Sequence, residues 1–449
     1  MTTSASIVGE EIVAGDAAAA PPTPLSNSVR GRILIYLGVL VMLLGFGAPY
    51  GGLIDTPISF FLKNKLHLDA HQIADFRLLS GIPLYLSFVF GFARDTWNPF
   101  GMRDRGFLVL FGAACAAIYV YFAFTTPNAT TLLIAVVLLT TAFLFVASAQ
   151  AGLSSVIGQQ QVMSGQVSTV WNIFLSVPTL AAFVAGGLLS DQLEGKHADQ
   201  AARVLFLLGA GFMAAIAIFG VFKPRSVYDN VRYERAADAH PWDDFVRLLR
   251  HWPIYPALFI WLLWNFAPGS VTPLQFYMQN TLHSNDAAFA NWNAIFAASF
   301  IPTFMVFGVL CRKVALRRLL FWGTVVAVPQ MVPLILIHTV TGALIAAVPI
   351  GLMGGVATAA YLDLLIRSCP PGLQGTLLMA SNAAYYLVSR LGDRLGTELY
   401  DHYGGFPVCV AAITIVYALI LPVLFLVPKH LTATPDGEAI GAEERQVFS

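Results

Sequence analysis

The sequence predicts an all-α membrane protein, and three observations carry that prediction. Apolar residues make up 57% of the 449-residue chain and charged residues only 11%, with a mean hydropathy of +0.70. A soluble surface needs roughly a quarter of its residues charged, which this chain cannot supply. Apolar runs of about 20 residues recur along its length, enough for a helix to cross ~30 Å of hydrocarbon. The runs are continuous rather than alternating, unlike the strands of a membrane barrel.

Twelve helices follow in order. The first six are expected near 33–62, 72–93, 106–125, 130–156, 166–190 and 202–222. The second six are expected near 253–280, 288–310, 317–338, 341–366, 372–402 and 405–427. A short stretch, GFARDTWNPFGMRDR at 91–105, separates the second from the third and carries five charges in fifteen positions. The longest polar connection, 223–250, separates the two sets. Within the seventh and tenth runs, Ala267-Pro268-Gly269 and Gly354-Gly355 are expected to mark bends. Residues 1–32 read as a disordered tail rather than a signal peptide, because they carry acids and lack a basic region ahead of an apolar core. The expected organisation is therefore tail 1–32, first half 33–222, linker 223–250, second half 251–428 and a loose tail 429–449.

Charge fixes an orientation. With the N-terminus in the cytoplasm, eighteen of the 25 Lys and Arg fall inside and four outside (Lys63, Lys65, Lys196 and Arg203). The positive-inside rule thus places both termini in the cytoplasm of an inner-membrane protein. Three remain within expected helices: Arg77, Arg390 and Arg394.

An internal repeat supports the count. Residues 56–67 read TPISFFLKNKLH and residues 272–283 read TPLQFYMQNTLH, with six of twelve positions identical. Both lie at the far end of the first helix of their set, so each half derives from one six-helix unit. Two such pseudo-symmetric halves resemble the major facilitator fold, in which the binding site lies near the bilayer midplane between the halves.

The stretch at 91–105 is similar to the superfamily's loop signature, here Gly91, Asp95, Gly101, Arg103 and Arg105. In that family the loop latches the cytoplasmic side shut. The physics fits, because the eleventh helix starts on the same side after Pro370-Pro371-Gly372, and its free N–H groups would stabilise an Asp95 carboxylate. The corresponding loop of the second half, CRKVALRRL at 311–319, keeps the bases but has no acid.

Three stretches narrow the resemblance to the folate–biopterin transporter family: residues 57–95, TPLQFYMQNTLH, and CPPGLQGTLLMASNAAYYLVSRLG at 369–392. The sequence departs from that family in the fourth helix, where VASAQAGLSSVIGQQQ at 146–161 has no acid.

An ionised side chain at the bilayer centre costs about 2.5–3.5 kcal/mol on insertion scales, so such residues are candidates for function. Asp55 is one; its repeat counterpart is Val271, so the fold does not require an acid there. It is expected to bind substrate or a proton, or to partner Arg77. Arg390, Asp393, Arg394 and Glu398 share one stretch of the eleventh helix at spacings of three and four, so they can pair locally. Alternatively, Arg390 clamps an anionic substrate, because guanidinium grips carboxylates in a bidentate fork, with Asp393 or Glu398 changing protonation. Asp363 and Arg367 are expected to form an ion pair at the membrane interface. Tyr50, Trp264, Asn265 and Asn382 are the further substrate-binding candidates, since rings and amides suit a flat heterocycle with a polar edge.

Four scattered cysteines suggest neither a disulfide framework nor a metal site. No GxxxxGK[ST], HExxH or nucleophile–base pairing appears, so neither an ATP-driven pump nor an enzyme is expected. The expected function is secondary active transport of a small organic solute, in the pterin or folate-like class, by a monomer without cofactor. The partners are that small-molecule substrate, a coupling proton or other ion, and membrane lipid, with no nucleic acid. Carriage of an unrelated solute, uniport, and a non-transporting assembly factor for pigment–protein complexes stand as alternatives.

Overall fold

The computed structural model describes residues 25–54, 70–125, 128–194, 198–229 and 241–438, together with residues 58, 62, 66, 67 and 231. Among the described residues there are helices and turns but no strands.

In the first half, α1 spans Asn27–Phe46, and the Ser26 side chain accepts from the Val29 amide at its start. It stops where the chain reads Gly47, Ala48, Pro49, Tyr50, Gly51, Gly52, and Gly51 adopts a φ of 63°. The expected continuous run is therefore broken, because this Gly/Pro cluster cannot sustain a helix. The second helix, α2, is three consecutive pieces: Ala70–Ser80, Ile82–Tyr85 and Ser87–Thr96. Gly81 separates the first two, and Pro83 sits in the first turn of the second. Then come α3 (Asp104–Phe124), α4 (Ala129–Gln160, capped by Asn128), α5 (Ser164–Glu194) and α6 (Ala198–Val221). The connection beyond it holds two short helices, Arg225–Tyr228 and Pro241–Arg250.

In the second half, α7 runs over Ile254–Asn265 and, after a break at Pro268-Gly269, resumes as Thr272–Phe276. That break is the bend expected from sequence. It is followed by α8 (Asp286–Leu310), α9 (Leu316–Ala327), α10 (Val340–Ser368) and α11 (Gln374–His402). Two pieces, Phe406–Ala418 and Ile420–Leu424, make up α12. Among the described residues, nine segments are long and apolar enough to cross a membrane. The three expected spans outside that set are the broken α2, the interrupted α7, and α11, whose C-terminal half is rich in charge.

Gly354-Gly355 does not break α10, which is continuous there; the pair lets α10 lie against Phe300 and Thr303 of α8. Of the expected loose tail 429–449, residues 429–438 are described, and there Thr432 and Asp436 are only 2% and 6% exposed, because Asp436 finds a helix N-terminus and an arginine. Residues 439–449 lie outside the described residues.

One apolar core fills each half, and a smaller third joins Ile33, Leu37 and Leu153 to Leu362 and Ile366 of the second half. Between lipid-embedded helices the driving force is close packing rather than exclusion of water. Gly112 and Gly220 accordingly let α3 and α6 approach, as a Cβ on either would meet backbone of the other within 3.1 Å. Large apolar side chains such as Leu336 and Phe425 point outward, as a lipid-facing surface requires.

Candidate functional site

The last turn of α2 carries Arg94 and Asp95, both buried. Buried charges need partners, and Asp95 finds them on the opposite half. Its Oδ1 accepts from the Gly375 amide at 3.2 Å, and its Oδ2 accepts from the amide and hydroxyl of Thr376, both at 2.7 Å. These are first-turn groups of α11, left without intrahelical acceptors and at the positive end of its dipole. Gly91 sits one turn earlier, and a Cβ there would lie 2.8 Å from the Thr376 Cα.

Arg94 completes the cluster, which sequence reasoning missed. Its Nη1 donates to Asp95 at 2.7 Å, while Nε and Nη2 fork onto both oxygens of Asp104 at 2.5 and 2.7 Å. Asp104 is the first residue of α3, so it also lies at a positive helix end. An acid at that helix position was the signal available. The acid-free stretch of α4 makes room: any Cβ on Gly152 would collide with the Arg94 guanidinium.

The other signature residues do different work. Gly101 turns the loop with a φ of 68°, and Arg103 follows at 53°, its amide donating to the Asn98 side chain at 2.6 Å. Arg105 donates to the Gly220 and Val221 carbonyls at 2.9 and 2.5 Å, so it caps the C-terminus of α6 within its own half. Gln159, at the end of α4, adds a second tie between halves. Its Nε2 donates to the Ile366 and Cys369 carbonyls at 2.8 and 2.7 Å, and Gln374 donates to its Oε1 at 3.0 Å. The expected Asp363–Arg367 pair is present at 2.8 Å.

Beyond this sealed, arginine-rich end, one stripe of α11 continues along the first half. Asn382 donates to Ser87 of α2 at 3.3 Å, and Ser87 donates to the Met379 carbonyl at 3.0 Å. Tyr386 lies edge-on to Tyr50 at 5.5 Å between ring centres, and Tyr50 meets Phe143 of α4 at the same spacing. Arg390 is one turn further on the same stripe; it is exposed and has no ion pair among the described residues.

Other candidates are placed differently. Trp264 stacks on Tyr417 at 4.6 Å and meets Tyr361 edge-on, which makes it a packing residue within the second half. Asn265 donates back to the Trp261 carbonyl at 2.8 Å. Asp393 does not pair with Arg390; it accepts from the Thr272 amide and hydroxyl at 2.9 and 2.8 Å, capping the resumed piece of α7. Glu398 is exposed, 3.9 Å from His402. Asp55 lies outside the described residues.

Comparison with known proteins fits this geometry. The model of the Major Facilitator Superfamily matches residues 162–392, just over half of the chain. The chain belongs to that superfamily. A folate-biopterin transporter of Synechocystis sp. is 23% identical over 403 residues, spanning 85% of this chain and 79% of its own. The superfamily transporter FucP, in an outward conformation, superposes with a TM-score of 0.66 at 15% identity, covering 88% of this chain and 98% of its own. The human organic anion transporter MFSD10 superposes at 0.62 and 12% identity, covering 89% of this chain and all of its own. These two share the fold.

In this major facilitator chain, α11 carries both features. Its first turn is held by Asp95, and Arg390 stands about 21 Å further along the axis at 1.5 Å per residue.

Proposed function

We propose that this protein is a proton-coupled carrier of a small organic anion, in the pterin or folate-like class, across the inner membrane by alternating access. The observation that carries this reading is Arg390: an exposed guanidinium, without an ion pair among the described residues, one turn beyond Tyr386 on α11. An uncompensated cation in a membrane-spanning helix is costly unless a water-filled cleft or an anion accompanies it. The tyrosines Tyr50 and Tyr386 one turn below offer ring faces and hydroxyls for a flat heterocycle, with Asn382 beneath them. The folate-biopterin transporter among the relatives supports the same substrate class.

The sealed end is the cytoplasmic one in this reading, following the excess of Lys and Arg there, and the protein works as a monomer. Proton coupling falls to Asp55, Asp393 and Glu398. Asp393 has a mechanical lever, since protonation removes an acceptor from Thr272 and loosens the resumed piece of α7.

The test is uptake of labelled folate and biopterin into proteoliposomes, with and without an imposed proton gradient. Saturable, gradient-dependent uptake that Arg390→Gln abolishes supports the reading. Absence of uptake by folded wild-type protein removes this substrate class, and uptake unaffected by Arg390→Gln removes Arg390 as the clamp.

A further inference from the structure

The first half closes the arginine-rich end with an acid from its own loop, but the matching loop of the second half, residues 311–319, has none. The register that aligns 56–67 with 272–283 places Cys311 opposite Asp95. Another acid occupies that place. The Asp436 amide donates to the Cys311 carbonyl at 2.8 Å, and its carboxylate lies 3.9 Å from the Cys311 Sγ.

From there Asp436 repeats the Asp95 geometry with the halves exchanged. Its Oδ1 accepts from the Gly165 amide at 3.2 Å and its Oδ2 from the Gln166 amide at 2.9 Å, both in the first turn of α5. An arginine again completes the cluster: Arg367 donates to Asp436 at 2.8 Å and to Asp363 at 2.8 Å. Arg367 also holds the backbone of the segment, donating to the Leu431 and Thr434 carbonyls at 3.3 and 3.0 Å. On the first half, the Gly437 amide donates to the Val162 carbonyl at 2.8 Å. Glycine recurs at the crossing, since a Cβ on Gly165 would lie 2.8 Å from that of Cys311.

We propose that residues 429–438 are a second latch, in which Asp436 supplies from the chain's C-terminal segment the acid missing from the 311–319 loop. The segment bonds to both halves, so they cannot part at this end until Asp436 leaves the first turn of α5. Opening then requires release of two acid–helix contacts, one from each half, and the closed state is symmetric in chemistry although not in sequence.

The test measures the distance between spin labels on Lys223→Cys and Arg318→Cys, exposed positions at this end of opposite halves, in the full-length protein without substrate. Asp436→Ala, or a chain ended at Pro428, should raise the ratio of open to closed populations on the order of tenfold, since a cap and a charged hydrogen bond are both lost. Glu438→Gln, exposed in the same segment, should leave it unchanged. In the shortened chain, Cys311→Asp should close the end again by restoring an acid opposite Asp95. A shortened chain that stays closed overturns the latch, and one that opens but is not closed again by Cys311→Asp overturns the substitution of one acid for another. Neither readout depends on the identity of the substrate.

Discussion

Asp95 holds Thr376 twice, through its amide and its hydroxyl, each at 2.7 Å, and the two residues belong to opposite halves. Asp95→Ala leaves the first turn of α11 without an acceptor and Arg94 with one acid instead of two. Removing one partner of a buried charge cluster costs about 3–5 kcal/mol, and here that loss falls on the closed state. The distance distribution across the arginine-rich end should shift to open. Asp95→Asn should shift it less, because its amide oxygen still accepts from one backbone N–H.

Gly91 tests the same contact by volume rather than charge. Its missing Cβ would lie 2.8 Å from the Thr376 Cα, against backbone that cannot swing aside. Gly91→Ala should separate α2 from α11 and destabilise the closed form by about 1–3 kcal/mol, the usual range for overpacking. Gly211, with nothing within 4 Å of its would-be Cβ, is the control. Gly211→Ala should leave thermal stability unchanged or raise it.

These contacts were unequally legible in the sequence. Charge density at 91–105 and the Pro-Pro-Gly before α11 pointed to the Asp95 contact, because a recurring loop pattern and a helix start are both local signals. Arg94 and Asp104 escaped notice, since an acid beside a base reads as an ordinary charged loop until folding brings their side chains together. Asp436 left no trace at all. It is separated by more than 250 positions from Gly165, and a polar tail has no periodicity to betray a docking site. Trp264 is legible in the opposite way: composition marks an aromatic as a stacking candidate, but only packing decides which partner its ring meets, and here it stacks on Tyr417. The α1 break was written in Gly47, Pro49 and Gly51, yet hydropathy averaged over the run concealed it.

Asp393 bears on proton coupling through Thr272, to which it is bonded at 2.9 and 2.8 Å. Asp393→Asn mimics the protonated acid, keeping one acceptor oxygen and losing the charge. If release of this cap carries the coupling step, the variant should lose gradient-driven uptake while retaining exchange of labelled for unlabelled substrate. If Asp393 only caps α7, both activities should fall together, with a stability loss of about 0.5–2 kcal/mol as for other N-caps. Parallel counterflow and gradient-driven assays separate the two.

The Asp436 latch should respond to pH, and the direction follows from its surroundings. Burial, followed by the neighbouring Asp363 carboxylate, pushes the Asp436 pKa up to about 6, against the opposing pull of Arg367. The charged and titratable groups around it are Asp363 and Arg367 from α10, Cys311 and Arg312 at the end of α8, and Arg30 of α1 near Gly437; α5 presents its Gly165 and Gln166 amides. A released tail has an ordinary Asp pKa of about 3.9, so between that value and about 6 the docked state binds more protons. Docking therefore strengthens as pH falls through about 6 and is nearly flat above about 7. Linkage gives a gain of about tenfold in the docking equilibrium between roughly pH 7 and pH 5. The same spin-label pair, titrated over that range, should show the arginine-rich end closing on acidification. Asp363→Asn should weaken the response without abolishing it, because it takes away the second-largest cause of the shift while burial, the largest, remains. Opening on acidification, or a response that survives Asp436→Asn, would assign the pH dependence to another group.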